Sequence, residues 1–429
     1  MFNNLRAAFV VPEIRKRVGF VFFAFAVFIF MIHVQIPNVN VEAWQRVIQG
    51  GTFFNFLGFL SGGALQRLSI IAMGITPYIN ASIIMQLMTI VLPQLEELAK
   101  HGGEEGRKQI NYYTRWLTII LSLVQGTTMT IAMRNYGVFY DRSIAFSLFV
   151  ILTLTSGTMF LMWLGEQISD KGIGNGVSLI IFEGIVLRYP TYFSQTIQLG
   201  KTGGLNYLGL GLFIVIALVT VVSIIFMYQG QRRVPVQQAK RVVGRKMFAG
   251  RSSYIPLRLN NAGVISIIFA ISILLLPQQA LSWFQHGNQG TAANVALFIQ
   301  TWFGPSTFLY NLAYFVLVVV FTFFYANVVV QTKDIADNLK KSGSFIPGIR
   351  PGQPTKEFLD RIMLRLTTVA AVYLGLLAVL PSITQQGLGV TTFYLGSTSL
   401  LIVVGVALDT MTQIEARLAM RDYRGFIKR

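Results

Sequence analysis

Ten stretches of the chain are mainly apolar over roughly the length that crosses a lipid bilayer, about 20 residues. They run over 19–35, 73–92, 116–133, 146–164, 177–193, 207–228, 262–276, 311–330, 366–380 and 397–408. The apolar residues fill whole turns and do not alternate with polar ones, so the pattern predicts helices buried on most sides and not amphipathic surface helices. The fifth, seventh and tenth stretches are short or interrupted. The fifth holds Glu183, Arg188 and Pro190, a poor face for lipid. Such polar spans are tolerated where they face protein or a water-filled cavity. One further apolar stretch, "FNFLGFLSGGALQRLS" over 54–69, is too short to cross and breaks at Gly62-Gly63.

Composition strengthens this reading. Of 429 residues 53% are hydrophobic and only 12% charged, against about 25% charged in soluble domains. The expected fold class is an all-α polytopic membrane protein. There is no cysteine, which excludes disulfides, thiolate metal sites and cysteine nucleophiles. Three scattered histidines (His33, His101, His286) do not suggest a metal cluster. The basic Arg15-Lys16-Arg17 precedes the first apolar run as in a signal peptide, but no small-residue cleavage pattern follows, so a retained first helix is expected.

The net charge of +18 is first of all a statement about orientation. With Arg188 counted in the connection after the fifth span, the connections on alternate sides of ten spans hold 29 and 6 of the 35 Lys and Arg residues. The positive-inside rule then places both termini, and the tail 409–429, in the cytoplasm. Two cytoplasmic loops are larger and more basic than orientation requires. The loop over about 229–260 alternates charge with Val and aromatic residues like a hairpin. The loop over about 331–358 carries the tip "FIPGIRPG", in which Pro and Gly fix turns on both sides of Arg350. A rigid basic tip loses little entropy on binding and suits an acidic protein or RNA-rich partner. The alternative is an anchor loop on anionic lipid.

Motifs for chemistry are missing. "HGGEEGRKQ" resembles a phosphate-binding loop only in its glycines, and "KGIGNGVS" follows no buried strand. No protease or hydrolase signature is present, and the spans contain no pair of carboxylates. No enzyme and no cofactor are therefore expected. Ile75 and Ile79 lie four apart, as do Val177 and Ile181, so each pair shares a helix face. Ordinary core packing explains that spacing equally well. Pro77 is expected to bend the second span near its start, and Asn80 and Gln86 add polarity there. A secondary transporter of a small solute is the alternative function, although such proteins collect ionisable groups at the midplane. A pore-less membrane scaffold is a third.

The segments "SGGALQRLSIIAMGITPYINASIIMQL", "GTMFLMWLGEQISDKGIGNGVSLIIFEGIV", "RRVPVQQAKRVVGR", "ADNLKKSGSFIPGIRPG" and "TSLLIVVGVALDT" resemble the SecY family, the channel subunits of the bacterial protein translocon, in order along essentially the whole chain. The resemblance implies ten transmembrane helices in two inverted, pseudo-symmetric halves, 1–206 and 207–429, closed like a clamshell around an hourglass pore. It implies a pore ring of Ile75, Ile79, Val177, Ile181, Ile268 and Ile402. The half-length segment aligns with the plug, a short helix with an apolar face of Phe54, Phe56, Leu57, Phe59 and Leu60, a hinge at Gly62 and Gly63, and Arg67 beyond. The second and seventh spans line the lateral gate, where Asn80, Gln86, Asn260 and Ser266 are placed; the family usually has Pro at Ser266 and a small apolar residue at Glu183. Implied partners are the SecE and SecG subunits, the SecA ATPase or a ribosome docked on Arg241, Arg245, Lys246 and Arg350, signal sequences, unfolded polypeptides and membrane lipids, anionic ones included. The implied location is the bacterial cytoplasmic membrane.

Overall fold

The computed structural model describes residues 11–50, 58, 61–141, 143–201, 207–238, 241–243, 246–248, 252–284, 307–388 and 397–427. These form two compact units. The first comprises Met1–Leu205, Ser272–Thr307 and Val406–Arg429, and the second Asn206–Ile271 and Phe308–Gly405.

Helices cover every predicted span. In chain order they are α1 (Pro12–His33), α2 (Val41–Gly50), α3 (Thr76–Val91), α4 (Pro93–His101), α5 (Gly103–Asn135), α6 (Ile144–Lys171), α7 (Gly176–Lys201), α8 (Tyr207–Gln229), α9 (Ile265–Phe284), α10 (Phe308–Val329), α11 (Thr332–Lys341), α12 (Gln353–Leu388) and α13 (Ser397–Ile427). Among the described residues, seven helices are long and apolar enough to cross a membrane, or eight if α3 and α4, bent by 100° at their junction, count as one span. The chain is thus a multi-pass helical membrane protein. Where α7 departs from the expected apolar span, polar residues are the cause: it carries Glu183 and Arg188.

Local chemistry sets the helix boundaries. Pro12, Pro77 and Pro93 occupy the first turns of α1, α3 and α4, where no intrahelical N–H is required. Pro77 therefore starts α3 and does not bend it, which corrects the expectation from sequence. The Ser143 hydroxyl accepts the Phe146 N–H (3.1 Å) at the start of α6, and Asn175 Oδ1 accepts the Ser178 N–H (3.1 Å) at the start of α7.

In the first unit a core joins α2, α6 and the segment before α3. Trp44, Leu65, Leu68, Met133, Val138, Val150 and Leu154 are buried together. A smaller cluster of Ile14, Ile173 and Ile414 ties α1, the "GIGNG" turn and α13, and Gln413 Oε1 accepts the Gly174 N–H at 2.9 Å. Arg115 and Glu166 join α5 to α6 through a two-pronged ion pair, Nε to Oε1 at 2.9 Å and Nη2 to Oε2 at 2.8 Å.

In the second unit, the long basic loop is a strand pair. β1 (Gln231–Gln238) runs antiparallel to β4 (Ser252–Arg258) with Gln231 opposite Arg258 and Gln237 opposite Ser252. β2 (Arg241–Val243) pairs with β3 (Lys246–Phe248), and β5 (Ser344–Phe345) adds to the free edge of β1. Only one face of β1 is apolar: Val234 and Val236 are buried with Leu257, Ile346, Leu359, Ile362 and Met363. That period-of-two pair seats the sheet on α12, while Arg232 and Arg233, before the valines, are exposed.

Candidate functional site

The pore-ring candidates sit at helix starts. Ile75 is the residue before α3, directly after Gly74, and its carbonyl accepts the Ile79 N–H at 3.1 Å. Both side chains are buried, as is Ile181; Val177, one turn before it at the start of α7, is half-buried. The structure thus puts Ile75 with Ile79 on one turn, and Val177 with Ile181 on another. In the second unit Ile268 is half-buried near the start of α9 and Ile402 is buried near the start of α13. Each is an aliphatic side chain without a polar atom.

Of the plug candidates, Phe54, Phe56, Leu57, Phe59 and Leu60 lie outside the described residues. From Ser61 to Gly74 the chain is a run of turns. This corrects the helical reading of 61–69, and the backbone gives the reason: Gly62 (φ 65°), Gly63 (φ 93°) and Leu68 (φ 50°) all take left-handed conformations that end a right-handed helix. Gly62 could be no other residue without movement, because a β-carbon there would stand 2.9 Å from the Gly184 α-carbon of α7. Arg67 is exposed.

Two side chains that sequence reasoning gave no role hold this segment. Trp44, fully buried, donates from Nε1 to the Leu65 carbonyl at 2.8 Å. Arg188, 6% exposed, donates from Nη2 to the Gly58 carbonyl at 3.1 Å. The legible signal was the residue type: an indole N–H or a guanidinium in an apolar setting needs an acceptor. What the sequence could not supply was the distant carbonyl that provides it. Glu183 is buried at 4% exposure, and neither carboxylate oxygen has a partner among the described residues.

The lateral-gate candidates are mostly buried. Asn80 lies in α3, and Gln86, half-buried, donates to Ser82 Oγ at 3.4 Å. Asn260 Oδ1 accepts the Gly263 N–H at 2.9 Å, while its Nδ2 has no partner among the described residues. Ser266 is fully buried in the first turn of α9 and donates to the Gly263 carbonyl at 3.4 Å. Since α9 begins at Ile265, a Pro at 266 would occupy a helix start; the Ser there removes no kink.

The docking candidates belong to the second unit. Arg241 and Lys246 lie on β2 and β3, Arg245 falls outside the described residues, and the side chains of all three are outside the description. Arg350 is exposed on a tip fixed from both sides: Gly348 (φ 82°) and Gly352 (φ 99°) set its turns, Ile346 anchors it in the core, and Thr355 Oγ1 donates to the Arg350 carbonyl at 2.8 Å.

A family model described as SecY matches residues 69–411. The chain belongs to the SecY family. It is 42% identical over 402 residues to the protein translocase subunit SecY of Synechocystis, covering 92% of this chain and 90% of that one. It is 40% identical over 440 residues to the subunit of the same name from Thermotoga maritima, covering 100% and 98%. Among solved structures, the fold is similar to a SecY structure described by its plug domain, which "stablizes the closed state of the translocation channel" (TM-score 0.66, 19% identity, 94% and 92% covered). It is also similar to Sec61 in the canine ribosome–channel complex (TM-score 0.60, 17% identity, 94% and 92% covered).

Proposed function

We propose that this chain is the channel-forming subunit of a protein translocase. It conducts unfolded polypeptides across the bacterial cytoplasmic membrane and releases apolar segments sideways into lipid. The observation that carries this reading is about 40% identity over the full chain to protein translocase subunits. A small-solute transporter finds no support in those relatives.

Physical chemistry supplies the mechanism. Ile75, Ile79, Val177, Ile181, Ile268 and Ile402, drawn from the two halves 1–206 and 207–429, form the waist of the pore. Such side chains offer a passing polypeptide no hydrogen bond or charge to bind, so they admit any sequence; without a polypeptide they dewet and block ions. The segment over 54–69 plugs the waist. A signal sequence is recognised between α3 and α9, near Asn80, Gln86, Asn260 and Ser266. Burying about ten apolar residues there, each worth about 1 kcal/mol or more, biases the closed state toward the open one. The chain is not an enzyme: it carries no nucleotide motif, and its energy comes from a partner, the SecA ATPase or a ribosome. That partner docks on Arg350 and on the strands carrying Arg241, Arg245 and Lys246. SecE and SecG complete the assembly, and both termini are cytoplasmic, as the asymmetry of basic residues supports.

Site-specific crosslinking from Ile79 or Ile181 to an arrested secretory chain tests this reading. Adducts are expected from both positions, with none from the exposed Phe22 on α1. Equal adducts from all three would overturn it. Changing Ile79 and Ile402 together to Gly is expected to raise ion conductance in planar bilayers, and unchanged conductance would remove the gasket.

A further inference from the structure

Two of the proposed pore residues, Ile268 and Ile402, belong to the second unit, and a tyrosine without a task so far lies one turn from each. Tyr228 is in the last turn of α8, and its hydroxyl oxygen is buried. That oxygen sits between two glycines of other elements. A β-carbon on Gly405 of α13 would stand 2.5 Å from it, and one on Gly263, just before α9, would stand 3.8 Å from it. The β-carbon on Gly405 would also stand 2.9 Å from Tyr228 Cζ and 2.5 Å from a methyl carbon of Val264. Val264 is itself 5% exposed. The space that any side chain at 405 would fill is therefore already occupied, by the phenol end of Tyr228 and by Val264.

This junction is tied to both isoleucines by the helices themselves. The Ile268 N–H donates to the Val264 carbonyl at 3.2 Å, so Val264 and Ile268 share one turn and one face at the start of α9. Ile402 stands three residues before Gly405 on α13 and shares its face. The topology read from the basic residues runs α9 and α13 in opposite directions. One turn forward on α9 and one turn back on α13 then lead to the same level. Next to Ile268, Phe269 packs edge-on against Phe321 and Tyr325 of α10, with ring centres 6.0 and 5.2 Å apart. Those aromatic contacts fix α9 against α10. Its contact with α13 is made at Val264, where the Tyr228 phenol fills the same gap.

We propose that Tyr228 is a positioning residue of the pore ring: its phenol end, lodged between Gly263 and Gly405, sets the separation of α9 and α13 and so the place where Ile268 and Ile402 meet. The spacer rests on the pore-ring reading of those two isoleucines. Tyrosine suits the task because a rigid ring on two rotatable bonds holds a fixed length at little cost in entropy. Glycine suits position 405 because an added methyl in a filled site forces its neighbours to move. Close approach at a glycine is also how helices in lipid pack, where the solvent gives no apolar drive to bring them together. Spacing is a matter of length, so the aromatic ring carries it and the hydrogen bonding of the hydroxyl does not.

Ion leak is measured for the full chain in lipid vesicles. Tyr228→Leu empties the gap and Gly405→Ala overfills it, and each is expected to raise the leak about tenfold. The methyl added by Gly405→Ala enters the space vacated by Tyr228→Leu, so the two together are expected to leak about threefold less than either alone. Tyr228→Phe shortens the spacer by one atom and keeps the ring, and its leak is expected to stay within about threefold of the parent. The variant with Ile79 and Ile402 both changed to Gly reports on the pore ring separately. If that variant leaks and Tyr228→Leu does not, the spacer is wrong and the pore ring stands. If that variant does not leak, the pore ring fails and the spacer with it. If the leaks of Tyr228→Leu and Gly405→Ala multiply when combined, the two positions act independently and the spacer is wrong. Unfolding midpoints identify a variant that fails to fold. Should Gly405→Ala be one, Tyr228→Leu against Tyr228→Phe carries the test, and equal leaks in those two overturn the proposal.

Discussion

Arg188 and Arg350 are the same side chain put to opposite uses. Arg188 is buried in a cradle of glycines and spends its charge on a carbonyl of its own chain. Arg350 is exposed at the end of a rigid tip, and the bond at that residue is to its backbone carbonyl, which leaves the guanidinium outward. Around Arg188 the fold supplies close backbone approach at Gly62 and Gly184. Around Arg350 it supplies two left-handed glycines with open space beside them. The difference shows that the residue type does not decide the role of an arginine in this chain. What decides it is whether the local backbone closes over the side chain or presents it.

The largest effect expected from breaking this contrast is on the buried side. Trp44→Ala removes a fully buried indole and leaves the Leu65 carbonyl without its donor. The expected loss is about 3–5 kcal/mol, seen as a lowered unfolding midpoint and faster proteolysis after Arg67. Trp44→Phe keeps most of the area and loses only the hydrogen bond, so about 1 kcal/mol is expected. Equal losses in the two variants would mean that the bond, and not packing, holds 65–70.

Next is the exposed side. Arg350→Glu reverses an exposed charge that pairs with no carboxylate among the described residues, so the midpoint is expected to stay within about 0.5 kcal/mol of the parent. If the tip docks a motor as proposed, motor-driven transport is expected to fall by more than about tenfold, because like charges would then meet at that contact. Normal transport in this variant would remove Arg350 from the docking surface. A destabilised fold would erase the contrast with Arg188.

The same contrast explains how much could be read from sequence. The helical segments were legible because apolar runs of span length have few other solutions, and the strand pair β1–β4 because Val234 and Val236 share one face of a run that is otherwise mostly polar or basic. The tip around Arg350 was legible because Pro and Gly encode their turns locally. Pro77 was misread because one residue cannot show whether a helix begins at it or before it. The cradle was invisible for a related reason. Arg188 stands 130 positions from Gly58, and Trp44 stands 21 from Leu65. Long-range acceptors are backbone carbonyls, which every residue carries, so nothing in the sequence marks the one that is used.

A smaller effect sharpens the account of the tip. Gly352 has φ 99° and nothing within 4 Å of a β-carbon placed on it. Gly352→Ala therefore adds strain without a clash, at a cost of about 1–2 kcal/mol in the native turn. If the tip binds through its rigidity, affinity for the docked partner is expected to fall severalfold with every charge intact. Unchanged affinity would leave the charge of Arg350 as the whole of the interaction.

The smallest effect expected concerns Arg233, which lies 4.9 Å from the centre of the Tyr254 ring across β1 and β4. Both side chains are exposed, and an exposed cation–aromatic contact is worth about 0.5–1 kcal/mol. Arg233→Ala is therefore expected to shift the unfolding midpoint only slightly and to leave transport within about twofold of the parent. Arg233→Lys keeps the charge and loses the flat stacking surface, so it separates the two contributions. If Arg233→Ala abolished transport while Arg233→Lys restored it, the partner would be reading the charge of the sheet itself. The presented arginine in the contrast with Arg188 would then be a face of the strand pair, and not the single residue at the tip.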